Sequence, residues 1–230
     1  KQAVKSFWCH NSLLQALLEK AVAIALTLVT QKSLKGQWTA VMLPSGRTGY
    51  VPTRQLESHE GFMSIAKGEG NSESISEQKT EAIIAQAYKL LGVPYLWGGM
   101  SAKGVDCSGL ERISHIMNGV LLPRNASQQI HCGDRVTMKI NKSFWDDRSD
   151  ADAFRAEMTG RIADLKRGDL VFFGTPAAQE GQRDRVTHVG IYLGDGKIIH
   201  SSHLVRVNSL IPGEADYYEN AHRLLGAIRL

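Results

Sequence analysis

Two strand-like runs joined by a short glycine-rich turn constrain the fold of this 230-residue chain more than any other feature. Residues 186–193 and 197–202 have the composition of β-strands, and the Gly-Asp-Gly turn at 194–196 is typical of a β-hairpin. His188 and His200 each lie six positions from the first glycine of that turn. A turn centred on that glycine would place the two imidazoles opposite each other on one face. The sequence therefore predicts an antiparallel hairpin that presents a pair of histidines.

Upstream of the hairpin, Cys107 stands at a predicted helix start. Asp106 and Ser108 favour a helix N-terminus, Gly119 favours a helix end, and the glycine pair at 98–99 lets the preceding chain turn closely. Between Ser108 and Gly119, apolar residues recur at helical spacing, at Leu110, Ile113 and Met117. A helix N-terminus and a nearby imidazolium both lower the pKa of a thiol. We therefore expect an activated thiol at Cys107.

The cysteine and the two histidines together are the parts of a nucleophile with its base. A thiol attacks a carbonyl carbon after it loses its proton; one histidine would take that proton while the second orients the first. The alternative interpretation is a small core cysteine and two histidines that only serve the scaffold. Because Cys107 lies in a polar, glycine-flanked turn and both histidines fall on one face, the catalytic interpretation is favoured.

Six short stretches extend the pattern over residues 78–230. They are 92–99 (GVPYLWGG), 106–109 (DCSG), 122–124 (LPR) with 127–129 (SQQ), 166–173 (KRGDLVFF), 187–194 (THVGIYLG) and 200–202 (HSS). Their residues, order and spacing resemble the NlpC-type family, which are papain-like cysteine peptidases that cut bacterial cell-wall peptides.

The resemblance implies an α+β papain-like core in which a Cys-bearing helix packs on an antiparallel sheet. It implies that Cys107 is the nucleophile, His188 the base and His200 the residue that orients the base. Tyr95 would lie beside the thiol, with its hydroxyl facing the substrate. The peptide-binding residues that the resemblance implies are Asp106, Ser108, Ser127 and Trp97.

The family typically hydrolyses the bond between γ-D-glutamate and a diamino acid in peptidoglycan stem peptides, and the resemblance implies this activity here. The thiolate of Cys107 would attack the carbonyl, and water would release the acyl-enzyme. The backbone N–H of Cys107 would help to hold the oxyanion. The expected partners are peptidoglycan stem peptides or free muropeptides, and no cofactor is implied.

The composition divides the chain into a small β domain, a polar linker and a catalytic domain, at residues 1–58, 59–76 and 77–230. A capping box from Ser74 to Glu77 predicts the start of a helix. The apolar stripe of that helix is formed by Ile83, Ile84, Ala87, Leu90 and Leu91. Such a stripe predicts a helix that faces the core rather than a cofactor.

The N-terminal domain has strand patterns at 21–30, 37–43 and 48–52. The residues in it that are similar to bacterial SH3-like domains are Trp38, Gly46, Gly49, Tyr50, Val51 and Pro52. The first strand stays open, because residues 1–9 either supply it or are displaced, and residues 12–20 also suit a helix.

Residues 135–165 depart from the compact pattern of the family and include a charged stretch with two aromatic residues. One interpretation is a loop that decorates the surface. The other is a wall of the peptide groove in which Phe144 or Trp145 touches the substrate.

The net charge of +4 and the pI near 9.0 suit an anionic cell wall, and no basic run interleaved with aromatic residues supports nucleic-acid binding. The longest aliphatic run, residues 21–29, is too short to span a bilayer. With no leader visible, the substrate class indicates a bacterial cell envelope location, periplasmic or secreted, and a cytoplasmic role in recycling stays open.

Three cysteines are too few for a disulfide framework, and we expect free thiols, although a pair between Cys9 and Cys132 stays open. The adjacent pairs at 9–10 and 131–132 lack the ligand spacing of a metal site. The histidines at positions 59, 115 and 222 are expected to be solvated or core polar residues, and His203 either narrows the site or points outward.

Three interpretations of the activity stay open. The first is a peptidase that acts on free muropeptides or on intact wall. The second is a papain-like acyltransferase that acts on lipid esters, and the third is a catalytically silent wall-binding module. The presence of Cys107, His188 and His200 argues against a silent module. The position of the cysteine before the histidines fits a peptidase better than an acyltransferase.

Overall fold

The computed structural model describes residues 6–9, 27–35, 37–42, 46–53, 56–58, 76–177, 179 and 182–230. Contacts divide the chain into two compact units, Lys1–Ser72 with Gly119–Leu121 and Glu73–Asn118 with Leu122–Leu230. The domain identities proposed above for 1–58, 59–76 and 77–230 stay predictions.

The described strands of the first unit form one antiparallel five-stranded sheet of order β4-β3-β2-β1-β5. They are β1 (Ser6–Cys9), β2 (Thr27–Lys35), β3 (Trp38–Met42), β4 (Thr48–Pro52) and β5 (Leu56–Ser58). The strands predicted at 37–43 and 48–52 correspond to β3 and β4. On β3, Thr39, Ala40 and Val41 are buried.

The strand predicted at 21–30 extends further toward the C-terminus than expected. Its described part begins at Thr27 and continues to Lys35, and residues 21–26 lie outside the described residues. The first strand that the sequence left open is supplied by β1. The alternative helix at 12–20 lies outside the described residues, and the SH3-like identity of this unit stays a prediction.

The second unit is an α+β fold on a six-stranded antiparallel sheet of order β12-β11-β10-β9-β13-β8. Its helices are α1 (Glu77–Tyr88), α2 (Cys107–Ile116), α3 (Ala126–Gln129) and α4 (Ala151–Arg161), with 3-10 turns at Lys142–Trp145 and Ala221–Arg223. Its strands are β6 (Met100–Ser101), β7 (Gly104–Val105), β8 (Asp134–Val136), β9 (Leu170–Thr175), β10 (Arg185–Gly194), β11 (Lys197–Ser202), β12 (Leu204–Ser209) and β13 (Leu224–Arg229). The predicted class, with a Cys-bearing helix packed on an antiparallel sheet, is confirmed.

The start of α1 is set by Ser76, whose Oγ accepts a hydrogen bond from the backbone N–H of Lys79. The predicted capping box placed the cap at Ser74, so the helix starts two residues later than expected. The members of the predicted stripe that are buried are Ile83, Ile84, Ala87 and Leu90. Leu91 is exposed, because the helix ends at Tyr88 and the chain leaves the helical repeat.

The two faces of the six-stranded sheet pack against different layers. On one face, Phe173, Tyr192 and Ile198 belong to a buried cluster that includes residues of α4. Side chains alternate between the faces of a strand, and Ser201 points to the other face, where its Oγ donates to the carbonyl of Val105. Since Val105 lies just before α2, and α2 packs on β10 and β11, the sheet holds the Cys-bearing helix against the histidine-bearing hairpin.

Residues 135–165 contribute to the core of the second unit. Phe154 and Met158 on α4, and Ile162 directly after it, are buried in the same cluster as the sheet residues. Phe144 packs on Phe154, with ring centroids 5.8 Å apart. The prediction of a surface loop is therefore wrong, and Phe144 is a core-packing residue rather than a groove wall; the wall role of Trp145 stays a prediction.

A buried arginine joins this segment to the rest of the unit. The guanidinium of Arg161 donates to Glu157 Oε1 at 2.8 Å and to the carbonyls of Asn141 and His222 at 2.8 and 3.0 Å. Buried charge is tolerated when its hydrogen-bonding groups are satisfied in this way. The arginine therefore fixes α4 to the chain on both sides of it.

Candidate active site

The candidate nucleophile is the first residue of α2. Asp106 caps this helix, since its Oδ1 accepts a hydrogen bond from the backbone N–H three residues later at 2.7 Å. Cys107 is only 7% exposed. Its sulfur accepts hydrogen bonds from the backbone N–H groups of Ser108 and Val189. Because Val189 follows His188 in β10, the thiol lies beside the histidine-bearing strand.

The glycine pair at 98–99 makes the predicted close turn before α2. Gly98 has a φ of 77°, in the region that favours glycine, and its N–H donates to Asp106 Oδ2 at 2.8 Å. A Cβ added to Gly99 would stand 2.5 Å from the carbonyl oxygen of Gly104. The carboxylate of Asp106 therefore ties the glycine turn to the helix that carries the thiol.

Arg124 forms an ion pair with Asp106 that the sequence analysis missed. Its Nη1 donates to Asp106 Oδ1 at 3.0 Å and its Nη2 to Oδ2 at 2.6 Å, while Nη1 also lies 3.0 Å from Ser108 Oγ. Both oxygens of Asp106 are thus occupied by donors of the protein. The observed role of Asp106 is structural, and its contact with substrate stays a prediction.

The predicted hairpin forms, but its register differs from the expected one. The turn is centred on Asp195 and Gly196 rather than on Gly194, and a bulge lies between Tyr192 and Gly194. The pairing therefore differs by two positions from the expected one, and Ile191 faces Ile199. His188 and His200 are consequently diagonal neighbours, and the prediction that they lie directly opposite is wrong. Gly190 takes the place beside His200, where an added Cβ would be 3.0 Å from the histidine Cβ. The missing side chain leaves room for the two imidazoles to meet on one face.

A series of three hydrogen bonds runs from His188 through His200 and Asn208 to the backbone. His188 Nε2 lies 2.7 Å from His200 Nδ1. His200 Nε2 lies 2.9 Å from Asn208 Oδ1, and Asn208 Nδ2 donates to the backbone carbonyl of Asp216 at 2.7 Å. The sequence analysis missed Asn208 and Asp216, because no spacing rule links them to the hairpin.

Two aromatic rings pack against the histidine pair. The centroid of the Tyr218 ring is 4.6 Å from that of His200 and 5.6 Å from that of His188. Phe173 lies 5.8 Å from His188 and meets Tyr218 edge to face at 5.4 Å. Since both aromatic residues belong to the cluster that contains Phe154, the segment at 135–165 supports the histidine pair through the core.

Burial determines the ionisation of the thiol and the imidazoles. Loss of hydration raises the pKa of Cys107 to about 11, and the carboxylate of Asp106 adds to that rise. Loss of hydration lowers the pKa of His188 to about 3, with a further contribution from His200, and lowers the pKa of His200 to about 4. The resting site therefore holds a neutral thiol beside neutral imidazoles. The expectation of a lowered thiol pKa is wrong for this state, because no imidazolium is present to stabilise a thiolate.

The other predicted site residues lie near the start of α2 or on α3. Tyr95 is half-buried, and its backbone N–H donates to the carbonyl of His203 at 2.8 Å. Burial raises the pKa of the Tyr95 hydroxyl, and the charge of an ionised Cys107 adds to that rise. The place of the Tyr95 hydroxyl beside the thiol, facing the substrate, stays a prediction. Trp97 is 85% exposed and Ser127 is exposed on α3. Their contacts with substrate stay predictions.

The histidines outside the pair have structural surroundings. His115 is buried, with Nδ1 2.7 Å from the carbonyl of Glu111, and half-buried His222 has Nδ1 2.9 Å from a backbone carbonyl. His203 is exposed at a φ of 63°, which favours the outward-pointing interpretation. His59 lies outside the described residues.

Among the residues that the structure describes, no group of three or more His, Cys, Asp or Glu side chains is arranged to hold a metal ion. Cys132 is an exposed free thiol, and the side chain of Cys9 is not among those described. Within the same described ranges, no helix has the length and apolar character to cross a membrane.

A sequence profile described as the NlpC/P60 family matches residues 92–222. The chain is 36% identical over 129 residues to gamma-D-glutamyl-L-lysine dipeptidyl-peptidase of Bacillus subtilis, covering 55% of this chain and 34% of that protein. It is 32% identical over 140 residues to peptidoglycan endopeptidase RipB of Mycobacterium tuberculosis, covering 55% of this chain and 45% of the relative. The chain thus spans between about a third and a half of the length of these curated relatives.

A solved structure of an NlpC/P60 family protein from Bacillus cereus aligns with 98% of this chain and 60% of its own, with a TM-score of 0.59 and 22% sequence identity. At that identity the likeness shows the fold. It covers the unit that carries the thiol and the histidine pair.

Proposed function

Because the chain belongs to the NlpC/P60 family, we propose that it is a cysteine endopeptidase for the γ-D-glutamyl–diamino acid bond of peptidoglycan stem peptides. The observation that carries the proposal is the position of the Cys107 thiol, at a helix start and hydrogen-bonded by the N–H that follows His188. The name of the Bacillus subtilis relative supports the choice of bond.

The proposed reaction is an acyl transfer through a thioester. His188 takes the thiol proton as the Cys107 sulfur attacks the γ-carbonyl carbon of D-glutamate. The carbon–nitrogen bond then breaks, and the protonated imidazole returns the proton to the leaving amine. Water attacks the thioester with His188 again as base, the carbon–sulfur bond breaks, and the sulfur recovers the proton.

The start of α2 is suited to stabilise the oxyanion. The first N–H groups of a helix have no partner within the helix and stand at the positive end of its dipole. The backbone N–H of Cys107 belongs to this group, since Cys107 is the first helical residue. In the proposed tetrahedral intermediate this N–H donates to the oxyanion, which is where charge develops.

The ionisation of the resting site makes this a general-base mechanism. The pKa of Cys107 is raised to about 11 and that of His188 is lowered to about 3, both chiefly by burial. At neutral pH the base is therefore already unprotonated, and the proton moves only when a carbonyl is in place to accept the sulfur. A neutral, buried thiol is also protected from oxidation and from other electrophiles.

The peptide would bind across Tyr95, Trp97 and Ser127, with the Asp106–Arg124 pair beneath the helix start. An exposed indole and a half-buried phenol supply apolar surface with a polar edge, which suits a peptide of mixed character. The proposed location is the bacterial cell envelope, where this substrate occurs, and both free muropeptides and intact wall are included as substrates.

The proposal is tested by mass spectrometry of L-Ala-γ-D-Glu-diaminopimelate incubated with the wild type, Cys107→Ala and Cys132→Ala. Cys132→Ala is the matched control, because Cys132 is a free thiol on the surface. We expect release of L-Ala-D-Glu by the wild type and by Cys132→Ala, and none by Cys107→Ala. Equal release by Cys107→Ala would exclude the proposed nucleophile.

Purified sacculi serve as a second substrate for the same proteins. Release of new amino termini from sacculi but not from the tripeptide would assign the enzyme to intact wall. Binding to sacculi with no cleavage of either substrate would support the silent wall-binding alternative instead.

A further inference from the structure

The side chain of Asn208 completes a hydrogen-bond series behind the histidine pair. Its Oδ1 lies 2.9 Å from His200 Nε2, and its Nδ2 donates to the backbone carbonyl of Asp216 at 2.7 Å. Asn208 is 7% exposed and His200 is fully buried, so the protein rather than water supplies their partners. The hydrogen bonds of the histidine pair and of Asn208 are therefore set by protein groups.

The orientation of the amide follows from its partner. A carbonyl oxygen only accepts hydrogen bonds, so the group of Asn208 that faces the Asp216 carbonyl has to be the NH2. That carbonyl is itself held in place, because it also accepts the backbone N–H of Ser209 at 2.9 Å. The oxygen of the amide is consequently fixed toward His200.

This orientation decides which ring nitrogens carry protons. Facing an oxygen acceptor, His200 Nε2 carries a proton and donates it, which leaves His200 Nδ1 as an acceptor. His188 Nε2, 2.7 Å from that nitrogen, then carries a proton and donates to it. The remaining ring nitrogen of His188, Nδ1, is left with a free lone pair.

We propose that Asn208 is a positioning residue that fixes both histidines as Nε2–H tautomers and so keeps His188 Nδ1 available as the base. The proposal deepens the proposed peptidase mechanism and rests on it for the role of His188. When His188 takes the proton of the thiol, its Nε2–H still donates to His200, so the series needs no rearrangement during the reaction. The bond becomes charge-assisted at that moment, which stabilises the imidazolium where it forms.

The most direct test is the nitrogen chemical shifts of the two imidazoles in the 15N-labelled wild-type protein at pH 7. We expect both rings to show a protonated Nε2 and an unprotonated Nδ1. A protonated Nδ1 on either histidine would overturn the proposal. The measurement needs neither substrate nor a variant, so its result is independent of whether the proposed peptidase activity is found.

Two variants separate the acceptor from the rest of the side chain. Asn208→Leu has no acceptor for His200, whereas Asn208→Asp keeps an oxygen there. We expect the Nε2–H tautomer of His200 to persist in Asn208→Asp and to be lost in Asn208→Leu. Asn118→Leu is the matched control, because it removes an amide that donates to a backbone carbonyl at 2.9 Å on α2, away from the histidines.

Thiol reactivity supplies a readout that a merely structural role would not move. The pH at which the rate of alkylation of Cys107 by iodoacetamide rises depends on the stability of the thiolate–imidazolium pair. The titratable and charged groups around that pair are Asp106, Glu111, Arg124, Tyr95, Arg206 and Tyr218. Since Asn208→Leu leaves all of them in place, we expect its midpoint to move to higher pH, whereas that of Asn118→Leu should stay near that of the wild type. The midpoint of Asn208→Asp should move to lower pH, because its carboxylate stabilises the imidazolium.

For the peptide substrate, we expect Asn208→Leu to lower kcat about tenfold with little change in KM, which corresponds to one neutral hydrogen bond. A fall that is equal in Asn208→Leu and Asn118→Leu, with unchanged tautomers and alkylation midpoint, would reduce Asn208 to a structural residue and overturn the proposal. If no variant or wild type cleaves the peptide while the tautomers are as expected, the proposed substrate fails and the positioning role stands.

Discussion

On the cysteine side of the site, residues 95–129, the helix cap and the ion pair join residues close in the sequence, whereas on the histidine side, residues 171–223 with α4, the imidazoles are supported by distant residues. On the cysteine side, Asp106 caps its own helix and binds Gly98 and Arg124, all within 18 positions. On the histidine side, the imidazoles depend on the hairpin, on Tyr218 and on a cluster that includes Phe154. The two sides also differ in chemistry, since an ion pair organises the first and neutral hydrogen bonds with aromatic packing organise the second.

Because of this difference, mutations should affect the two sides of the site in different ways. On the cysteine side, the damage from losing a capping group is concentrated at one helix start and its charge balance. On the histidine side, a core substitution far along the chain reaches the imidazoles, because the rings that touch them are part of the same packed cluster. Four measurements compare the two sides, ordered by the expected change in unfolding free energy at neutral pH, with the response to acid last.

Phe154→Ala should have the largest effect on the histidine side. Phe154 is buried in the cluster with Tyr218, and removal of a buried aromatic ring typically costs about 4 kcal/mol of unfolding free energy. Half-buried Phe144 packs on it and provides the matched control, with an expected cost of about 1–2 kcal/mol for Phe144→Ala. Urea denaturation measures both. Equal, small losses would show that the segment at 135–165 does not support the site.

Asp106→Ala should destabilise the cysteine side by about 3 kcal/mol, since it removes a helix cap and leaves Arg124 without its partner. Asp150 caps α4 through the N–H of Ala153 at 2.9 Å and is exposed. Asp150→Ala therefore loses a cap alone, for which we expect about 1 kcal/mol. Thermal and urea denaturation of the two variants give the difference. If Asp106→Ala lost no more unfolding free energy than Asp150→Ala, the ion pair with Arg124 would not stabilise the cysteine side.

Glu111→Gln should stabilise the protein at neutral pH. Glu111 is fully buried, and burial raises its pKa well above the usual 4.5. A raised pKa of the folded state contributes stability below pH 4.5 that is lost as the pH rises, and the glutamine variant does not undergo this loss. We expect Glu111→Gln to be more stable than the wild type by about 2 kcal/mol at pH 7 and equally stable at pH 4.

Exposed Glu219 gives the control for that comparison, because Glu219→Gln should leave stability unchanged at both pH values. Unfolding free energies from urea denaturation at pH 4 and pH 7 settle the matter. A destabilising effect of Glu111→Gln at pH 7 would mean that the folded protein stabilises the ionised carboxylate of Glu111.

The histidine side should respond to pH in the opposite direction. Burial lowers the pKa of His188 to about 3 and of His200 to about 4, from 6.5. The unfolded chain therefore binds protons first, and stability present above pH 6.5 is lost as the pH falls toward 4, at up to about 1.4 kcal/mol per pH unit for each histidine. His115, whose pKa burial also lowers to about 4, adds to this slope.

The double variant His188→Gln with His200→Gln isolates the part of the slope that belongs to the pair. We expect its unfolding free energy to fall less steeply than that of the wild type between pH 6.5 and 4, while the contribution of His115 persists. Parallel slopes for the two proteins would contradict the neutral, buried state assigned to the pair.

The sequence predicted the features that depend on local pattern. Strand composition and the glycine-rich turn located the hairpin, and the Asp-Cys-Ser-Gly stretch located the start of α2. The register failed, because the turn is centred on Asp195 and Gly196 rather than on Gly194, and a bulge before it changes the pairing by one position. The sign of the thiol pKa shift failed for a related reason. Burial raises the pKa of Cys107 more than the neighbouring backbone N–H groups lower it, and burial is a property of the whole unit.

Residues that act across long distances had no sequence signal. Asn208 and Tyr218 lie beyond the hairpin, and only the folded sheet brings them to His200. The segment at 135–165 looked polar, yet Phe154 and Met158 on α4 and the following Ile162 recur at helical spacing and are buried. That periodicity was the available signal for its place in the core.

The central claim is that the sulfur of Cys107 forms the acyl-enzyme, and trapping that intermediate tests it most directly. The tripeptide L-Ala-γ-D-Glu-diaminopimelate is mixed with enzyme, quenched in acid during turnover and analysed by intact-protein and peptide mass spectrometry. The account predicts an L-Ala-γ-D-Glu acyl group on the peptide that contains Cys107, and no such adduct on Cys107→Ala. An adduct on another residue, or continued hydrolysis by Cys107→Ala, would contradict it.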